Sequence, residues 1–329
     1  MALSHRPRDC WPWCEDGGKD HMVAHTHSYF SRRAWAALRP DVPLVLADDD
    51  LEQLRGVNEY VGKEEVEEVF LPLTHLLNLH IVAAYARRGA TQAFLGSPVR
   101  RRPYVIGIAG SVAVGKSTFA RVLQALLGQW PDHPRIDLVA TDGFLYPMAM
   151  LKQRGLFDRK GFPESYDLRA MIHFLAEVTA GKRGVSAPVY SHQAYDIVPG
   201  EHQRIADTDV LIFEGLNVLQ LHPTGRSQVV ASEFFDFSIY IDANERDIEA
   251  WYIERFFSLQ RTAFQHRSSY FHFLANASAT EIEEIARSLW GRVNRVNLRE
   301  NILPTRQRAN LVVRKKRDHT VRSLWLRHF

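Results

Sequence analysis

Between residues 110 and 118 the chain reads Gly110-Ser111-Val112-Ala113-Val114-Gly115-Lys116-Ser117-Thr118. Two glycines separated by four residues, then a lysine and a hydroxyl residue, match G-x-x-x-x-G-K-[ST], a loop that cradles phosphates. The chemistry follows from the residue types. Gly110 and Gly115 let the backbone turn so that successive N–H groups converge on an anion, and the helix that follows adds its positive dipole end. Lys116 supplies a cation for β- and γ-phosphate oxygens, and Ser117 a hydroxyl for Mg²⁺. The plain structural alternative is a glycine-rich turn before a packed helix. The flanks argue against it, because a strand-like run, Tyr104–Ala109, leads into the loop and a helical run, Lys116–Leu127, leaves it. ATP and Mg²⁺ are the expected nucleotide and metal.

Two acids stand where the rest of such a site belongs. Asp142 follows the apolar run Ile136–Thr141 and precedes Gly143; Glu214 follows Val210–Phe213 and precedes Gly215. In open α/β sheets ligands sit outside the carboxyl ends of the strands, so both carboxylates should face the phosphate loop. One would help hold Mg²⁺ and the other would accept the proton of an attacking hydroxyl. Either alone reads equally well as a turn or cap acid. Together, beside a full phosphate loop, they point to phosphoryl transfer. The sequence contains no N-K-x-D, no L-S-G-G-Q and no G-x-G, which removes guanine switches, transporter ATPases and dinucleotide-dependent dehydrogenases.

These residues need a frame. The runs Tyr104–Ala109, Ile136–Thr141, Val210–Phe213, Phe237–Ile241 and Leu311–Val313 are rich in β-branched and aromatic residues, with helix-length segments between most of them. That alternation predicts an α/β fold with a mostly parallel sheet and helices on both faces. From Glu64 to Arg88 apolar residues recur at helical spacing, and Pro72 should kink or split that helix. Residues 1–28 read as a disordered tail and 29–329 as a single domain with an N-terminal helical segment. The basic run Arg314-Lys315-Lys316-Arg317 reads as a solvated surface. A net charge of +3 does not suggest a nucleic-acid binder. No continuous apolar run approaches the ~20 residues of a membrane span. Both cysteines, Cys10 and Cys14, lie in the tail, and the cysteine-free body suits a cytoplasmic protein.

Several blocks resemble those of type I (bacterial) pantothenate kinase, within the P-loop kinase superfamily. They are GSVAVGKST at 110–118, ATDGFL at 140–145, KGFPESYD at 160–167, PVYSH at 188–192, FEGLNVLQ at 213–220 and NLRENILPTRQR at 297–308. The similarity runs from about Tyr29 to the C-terminus. The resemblance implies transfer of the ATP γ-phosphoryl group to the primary hydroxyl of pantothenate, the first step toward coenzyme A. It implies Asp142 as base, Lys116 and Arg255 as stabilisers of phosphoryl charge, and Ser117 and Glu214 at Mg²⁺. Tyr190, His192, Tyr195, Tyr252 and Asn294 would bind pantothenate, with Asn58 and His319 near the adenine. The family further implies a homodimer and feedback inhibition by coenzyme A, which would compete with ATP and meet Lys116, Arg121 and His192. The aromatic stretch Phe256, Phe257, Phe264, Tyr270, Phe271 and Phe273 reads from its residues as a packed helix face plus loop, and by resemblance as the wall for pantetheine. Leu259 departs from the bulkier residue common there. Other P-loop small-molecule kinases, of the uridine kinase or phosphoribulokinase kind, and a nucleotide-binding module without transfer activity are the competing readings.

Overall fold

The computed structural model describes residues 26–40, 46–56, 61–98, 102–133, 135–205, 207–221 and 229–328. Nine strands are used below: β1 (His27–Ser31), β2 (Tyr104–Gly110), β3 (Ile136–Ala140), β4 (Val185–Ser191), β5 (Asp196–Ile205), β6 (Val210–Gly215), β7 (Phe237–Asp242), β8 (Leu311–Lys315) and β9 (Val321–Arg327). The helices longer than ten residues are α1 (Leu71–Phe94), α2 (Lys116–Leu127), α3 (Leu168–Thr179), α4 (Glu245–Arg261) and α5 (Ala279–Leu289).

Seven strands form one sheet in the order β1-β9-β8-β7-β2-β6-β3. The five from β8 to β3 are parallel, and β9 and β1 close one edge antiparallel. All residues of β2, β6 and β7 are buried, as expected where helices cover both faces of a parallel sheet. The expected parallel strands are therefore present. Strand β2 lies between β6 and β7, so its carboxyl end opens into the crevice where such sheets bind ligands. β4 and β5 form a separate antiparallel hairpin beside that crevice.

Three expectations need correction. His27 and Ser28, assigned to the tail, belong to β1, where the buried His27 ring donates through Nε2 to Ala309 O at 3.0 Å. The edge strand β1, His-Ser-Tyr-Phe-Ser, is mostly polar, so its pairing comes from the ladder with β9 rather than from an apolar pattern. Pro72 does not split its helix, which runs on from Lys63 to Phe94. It sits in the first turn of α1, just after a π-helical segment, Val66–Phe70, whose wider turn accommodates the missing N–H and the ring. Finally, the helical stretch Lys63–Phe94 is long and apolar enough to cross a membrane by length and composition. Thr74, His75, Asn78 and His80 interrupt its apolar run, and 56% of its most apolar window is buried inside the protein. A mostly buried core helix passes the same test.

Candidate active site

The phosphate loop joins the end of β2 to α2. Gly110 has φ 150°, and a Cβ there would lie 2.6 Å from Ile241 O on the neighbouring strand. Gly115 has φ 94° and caps α2 without any side-chain hydrogen bond. The first amides of that helix are thus left for an anion. Ala113 adopts the left-handed region at φ 59° without being glycine, a conformation that costs about 1–3 kcal/mol and persists only where its surroundings impose it. Lys116 is buried and its Nζ donates to Ser111 O at 2.8 Å, folding the ammonium back over the loop. Thr118 is buried and accepts from Arg121 Nη2 at 3.2 Å, while Arg121 Nε donates to Leu54 O at 2.9 Å.

Both expected acids reach the same crevice. Ser117 Oγ donates to Glu214 Oε1 at 2.7 Å. Burial raises the Glu214 pKa; Lys116 opposes this, Asp142 adds to it, and the Ser117 bond lowers it again. A hydroxyl and a buried carboxyl in contact, with a second carboxylate close enough to perturb the first, suit a small hard cation that keeps several waters. Asp142 sits on the 3-10 turn Thr141–Phe144 after β3. That turn is held by two close approaches: a Cβ at Gly143 would lie 2.1 Å from Pro188 O of β4, and one at Gly215 would lie 1.8 Å from Thr141 Oγ1. The Asp142 turn is therefore wedged between β6 and the hairpin. Asp242, at the matching end of β7, is different: Arg306 and Arg314 both pair with its Oδ2. It is a structural acid.

The hairpin presents the expected acceptor residues. Its register shifts between Pro188 and Tyr190, an irregularity that re-aims side chains beside active sites. Tyr190 meets the His192 ring edge-on at 5.1 Å between centroids. Tyr195, at φ 56°, stacks on Tyr270 at 5.4 Å and meets Phe271 at 5.0 Å. Although the His192 ring keeps an open face to solvent, protein crowding on its other sides lowers its pKa; Asp142 opposes this, and Arg255 and Lys160 reinforce it. Burial raises the Tyr252 pKa, offset in part by a hydrogen bond with Asn294 and by Arg255. Asp142, Tyr190, His192, Tyr195, Tyr252, Asn294 and Arg255 thus form one connected neighbourhood. Phe256 and Phe264 belong to a small apolar cluster with Ile253, Leu274, Ile282 and Ala286, against which Leu259 packs, while Phe273 is exposed.

His319 lies on the far side of the loop. It has φ 67° and stacks on Trp251 at 4.1 Å. Burial, helped by Lys315, lowers its pKa to about 4, so the ring is neutral at pH 7. Lys315 Nζ donates to Val114 O in the phosphate loop at 3.1 Å, and Trp251 Nε1 to Arg317 O at 2.9 Å. The basic run 314–317 is solvated only in its second half: Lys316 and Arg317 are exposed, whereas Arg314 and Lys315 are half-buried. Arg314 pairs with Asp242, Lys315 holds the loop, and Arg317 pairs with Glu254. Asn58 lies outside the described residues.

The Phosphoribulokinase / Uridine kinase family matches residues 105–258. Over 302 residues the chain is 54% identical to the pantothenate kinase of Sorangium cellulosum (strain So ce56), covering 92% of this chain and 98% of that protein. The chain belongs to the pantothenate kinase family. Similar relatives of that name come from Myxococcus xanthus (strain DK1622), 53% identical with 90% of this chain and 94% of that protein covered, and from Brevibacillus brevis, 51% identical with 93% and 97% covered. In this pantothenate kinase family chain, the sequence blocks at 110–118, 140–145, 160–167, 188–192 and 213–220 all meet at the cleft.

Sequence reasoning missed one cation at its centre. Lys160 Nζ lies 3.6 Å from the Tyr195 ring centroid and 5.0 Å from that of Tyr190, and it donates to Tyr195 O. Burial lowers its pKa to about 8, against the pull of Asp196 and Asp142. The signal available was a lysine followed by Gly-Phe-Pro inside a turn, which carries no chemistry by itself.

Proposed function

We propose that this family member transfers the γ-phosphoryl group of ATP to the primary hydroxyl of pantothenate, giving 4′-phosphopantothenate, in the cytoplasm as the first step toward coenzyme A. One observation carries the reading. The phosphate loop and Glu214 share a single crevice with Asp142, Lys160 and the Tyr190–Tyr195 hairpin wall.

The triphosphate lies along the free amides at the start of α2, with Lys116 exchanging Ser111 O for phosphate oxygen. Ser117 and Glu214 would hold Mg²⁺, which supplies charge neutralisation on the phosphate oxygens. Asp142 takes the proton of the acceptor hydroxyl as its oxygen bonds to phosphorus. The bond from phosphorus to the β,γ-bridging oxygen breaks, and ADP leaves. Arg255 lies close enough to His192 and Tyr252 to lower the pKa of both, which places its guanidinium beside the acceptor wall and in reach of the transferred group. Tyr252 and Asn294 offer a hydroxyl and an amide to the acceptor. An ADP-release assay with pantothenate, uridine and ribulose 5-phosphate tests the assignment. Turnover with pantothenate alone is expected, and turnover with another acceptor instead would overturn it. No turnover with any, ATP binding being intact, would make the chain a nucleotide-binding module.

Lys160 gives the reaction a pH signature. Its pKa is lowered, so the cation is lost at lower pH than in an ordinary lysine of about 10.4. The rate should therefore fall as pH rises through about 8, and Lys160→Arg should move that limb beyond the measurable range. The stability sign is the opposite one. The charged form is disfavoured in the fold, so stability rises with pH between about 8 and the unfolded value.

Two family traits complete the reading. Coenzyme A would compete with ATP, its phosphates meeting Lys116 and Arg121 and its pantetheine arm the aromatic rings near Tyr270 and Phe271. Inhibition kinetics with ATP as the varied substrate test this directly. A homodimer is supported by α1, where Leu79, Val82, Ala83, Ala86, Ala90 and Ala93 make an exposed stripe, and a Cβ at Gly89 would meet nothing within 4 Å. Ala86→Arg should turn a dimer into a monomer by light scattering; a species of unchanged mass would place the interface elsewhere.

A further inference from the structure

Two of the sequence blocks, 213–220 and 297–308, contribute amide side chains that none of the steps above uses. Asn217 follows Glu214 by three residues, and Asn297 follows Asn294 by three. Asn217 Nδ2 donates to Gly161 O at 2.7 Å, and Asn297 Nδ2 donates to the same oxygen at 2.8 Å. Two donors fill both lone pairs of that carbonyl. The chain of amides continues outward: Asn301 Nδ2 donates to Asn297 Oδ1 at 2.9 Å, and Gln220 Nε2 to Asn301 Oδ1 at 3.2 Å.

The carbonyl they grip is in an unusual place. Gly161 has φ 92°, and a Cβ there would press on Leu216 Cδ1 at 3.2 Å. Its own N–H donates to the buried Ser165 Oγ at 2.9 Å. Both ends of the residue are thereby fixed, and the residue immediately before it is Lys160. Asn297 is buried, and nothing apolar about the position calls for an amide; a core helix would be served by leucine. Amides converging on one carbonyl, with Asn297 buried among them, fix the segments that supply them relative to one another. Here those segments carry Glu214, Lys160 and Asn294.

We infer that Asn217 and Asn297 are positioning residues for phosphoryl transfer, which act by clamping the Gly161 carbonyl so that the Lys160 ammonium stays between the Tyr190 and Tyr195 rings and Asp142. The inference rests on the kinase reading above and on Lys160 taking part in the reaction. The amide side chains themselves make no hydrogen bond to the phosphate loop among the described residues; the loop meets the Asn217 segment through Ser117 and Glu214. Losing the clamp should let the cation drift, and displacements near 1 Å in a reacting group cost up to about 100-fold.

A double-mutant cycle on the full chain tests it, with pantothenate and ATP as substrates. Asn297→Ala and Asn217→Ala should each lower kcat about tenfold or more, with KM for ATP within about twofold. Lys160→Met should lower kcat as well. In the Lys160→Met background, adding Asn297→Ala should cost less than about twofold, because the group it positions is gone. Effects that multiply in the double variant, or that fall on ATP affinity, would make the amides structural and overturn the proposal. Unchanged kcat in both single asparagine variants, or in Lys160→Met, would do the same. Should Asn297→Ala fail to fold, the half-buried Asn217 carries the same cycle. Pantothenate turnover by the unsubstituted chain reports separately on the kinase reading.

Discussion

Asp142→Ala lowers kcat by about 10²–10⁴-fold, with nucleotide affinity held within about twofold. The separation of the two effects follows from where the residue sits. Asp142 belongs to the turn after β3, and the bond that closes this turn, from Leu145 N to Asp142 O, is made by the backbone and survives the substitution. The phosphate loop grows from β2, and its amides, Lys116 and Ser117 do not depend on the Asp142 side chain. Asp142→Asn sharpens the test, since the amide can still orient a hydroxyl but cannot take its proton. Steady-state kinetics beside calorimetric titration with ADP distinguish the cases. Near-normal turnover in either variant removes Asp142 from the reaction.

Lys116→Met should act on both ATP and Mg²⁺. Lys116 is buried, and its ammonium donates to Ser111 O within the loop itself, at the place where phosphate oxygens would arrive. Removing a preorganised charge-assisted donor of this kind costs about 10²–10³-fold in kcat/KM for ATP. A second effect follows from Glu214. Lys116 is the first influence opposing the burial that raises the Glu214 pKa. Without it the carboxyl holds its proton to higher pH, so more Mg²⁺ is needed to reach half-maximal rate. Methionine nearly preserves the buried volume, so thermal unfolding should change little. A Mg²⁺ dependence that does not move, with kcat/KM for ATP intact, would contradict the assignment.

The nucleotide half of the molecule was legible because its signals are local. A phosphate loop is contiguous, and the buried parallel strands that carry it and the two acids are short apolar runs of recognisable composition. The antiparallel edge was not, since β1 owes its place to pairing with a strand almost three hundred residues away. Lys160 escaped for a related reason. Its role depends on two tyrosine rings some thirty residues later and on burial that a single lysine does not advertise. The first half of the run 314–317 misled in the other direction, because charge density reads as solvated until the partners of Arg314 and Lys315, Asp242 and Val114 O, are in view. The acceptor residues Tyr190, His192 and Tyr195 came from family resemblance alone; periodicity would have left them as ordinary aromatics of a strand.

The hairpin β4–β5 stands outside the seven-stranded sheet, touching the Asp142 turn chiefly where Gly143 passes beneath Pro188. On the proposed reading, the nucleotide loop and part of the acceptor wall, Tyr190 to Tyr195, lie on different pieces of backbone. Exchanges at the hairpin's outward positions, away from the core residues Val185, Ala187 and Ile205 and from Gln203, which holds Leu138 O of β3, spare the central sheet, so acceptor contacts can change without rebuilding the phosphate loop. Transplanting the outward positions of 185–205 between kinases of this architecture, with glycine kept beneath the graft, is the corresponding route to altered specificity.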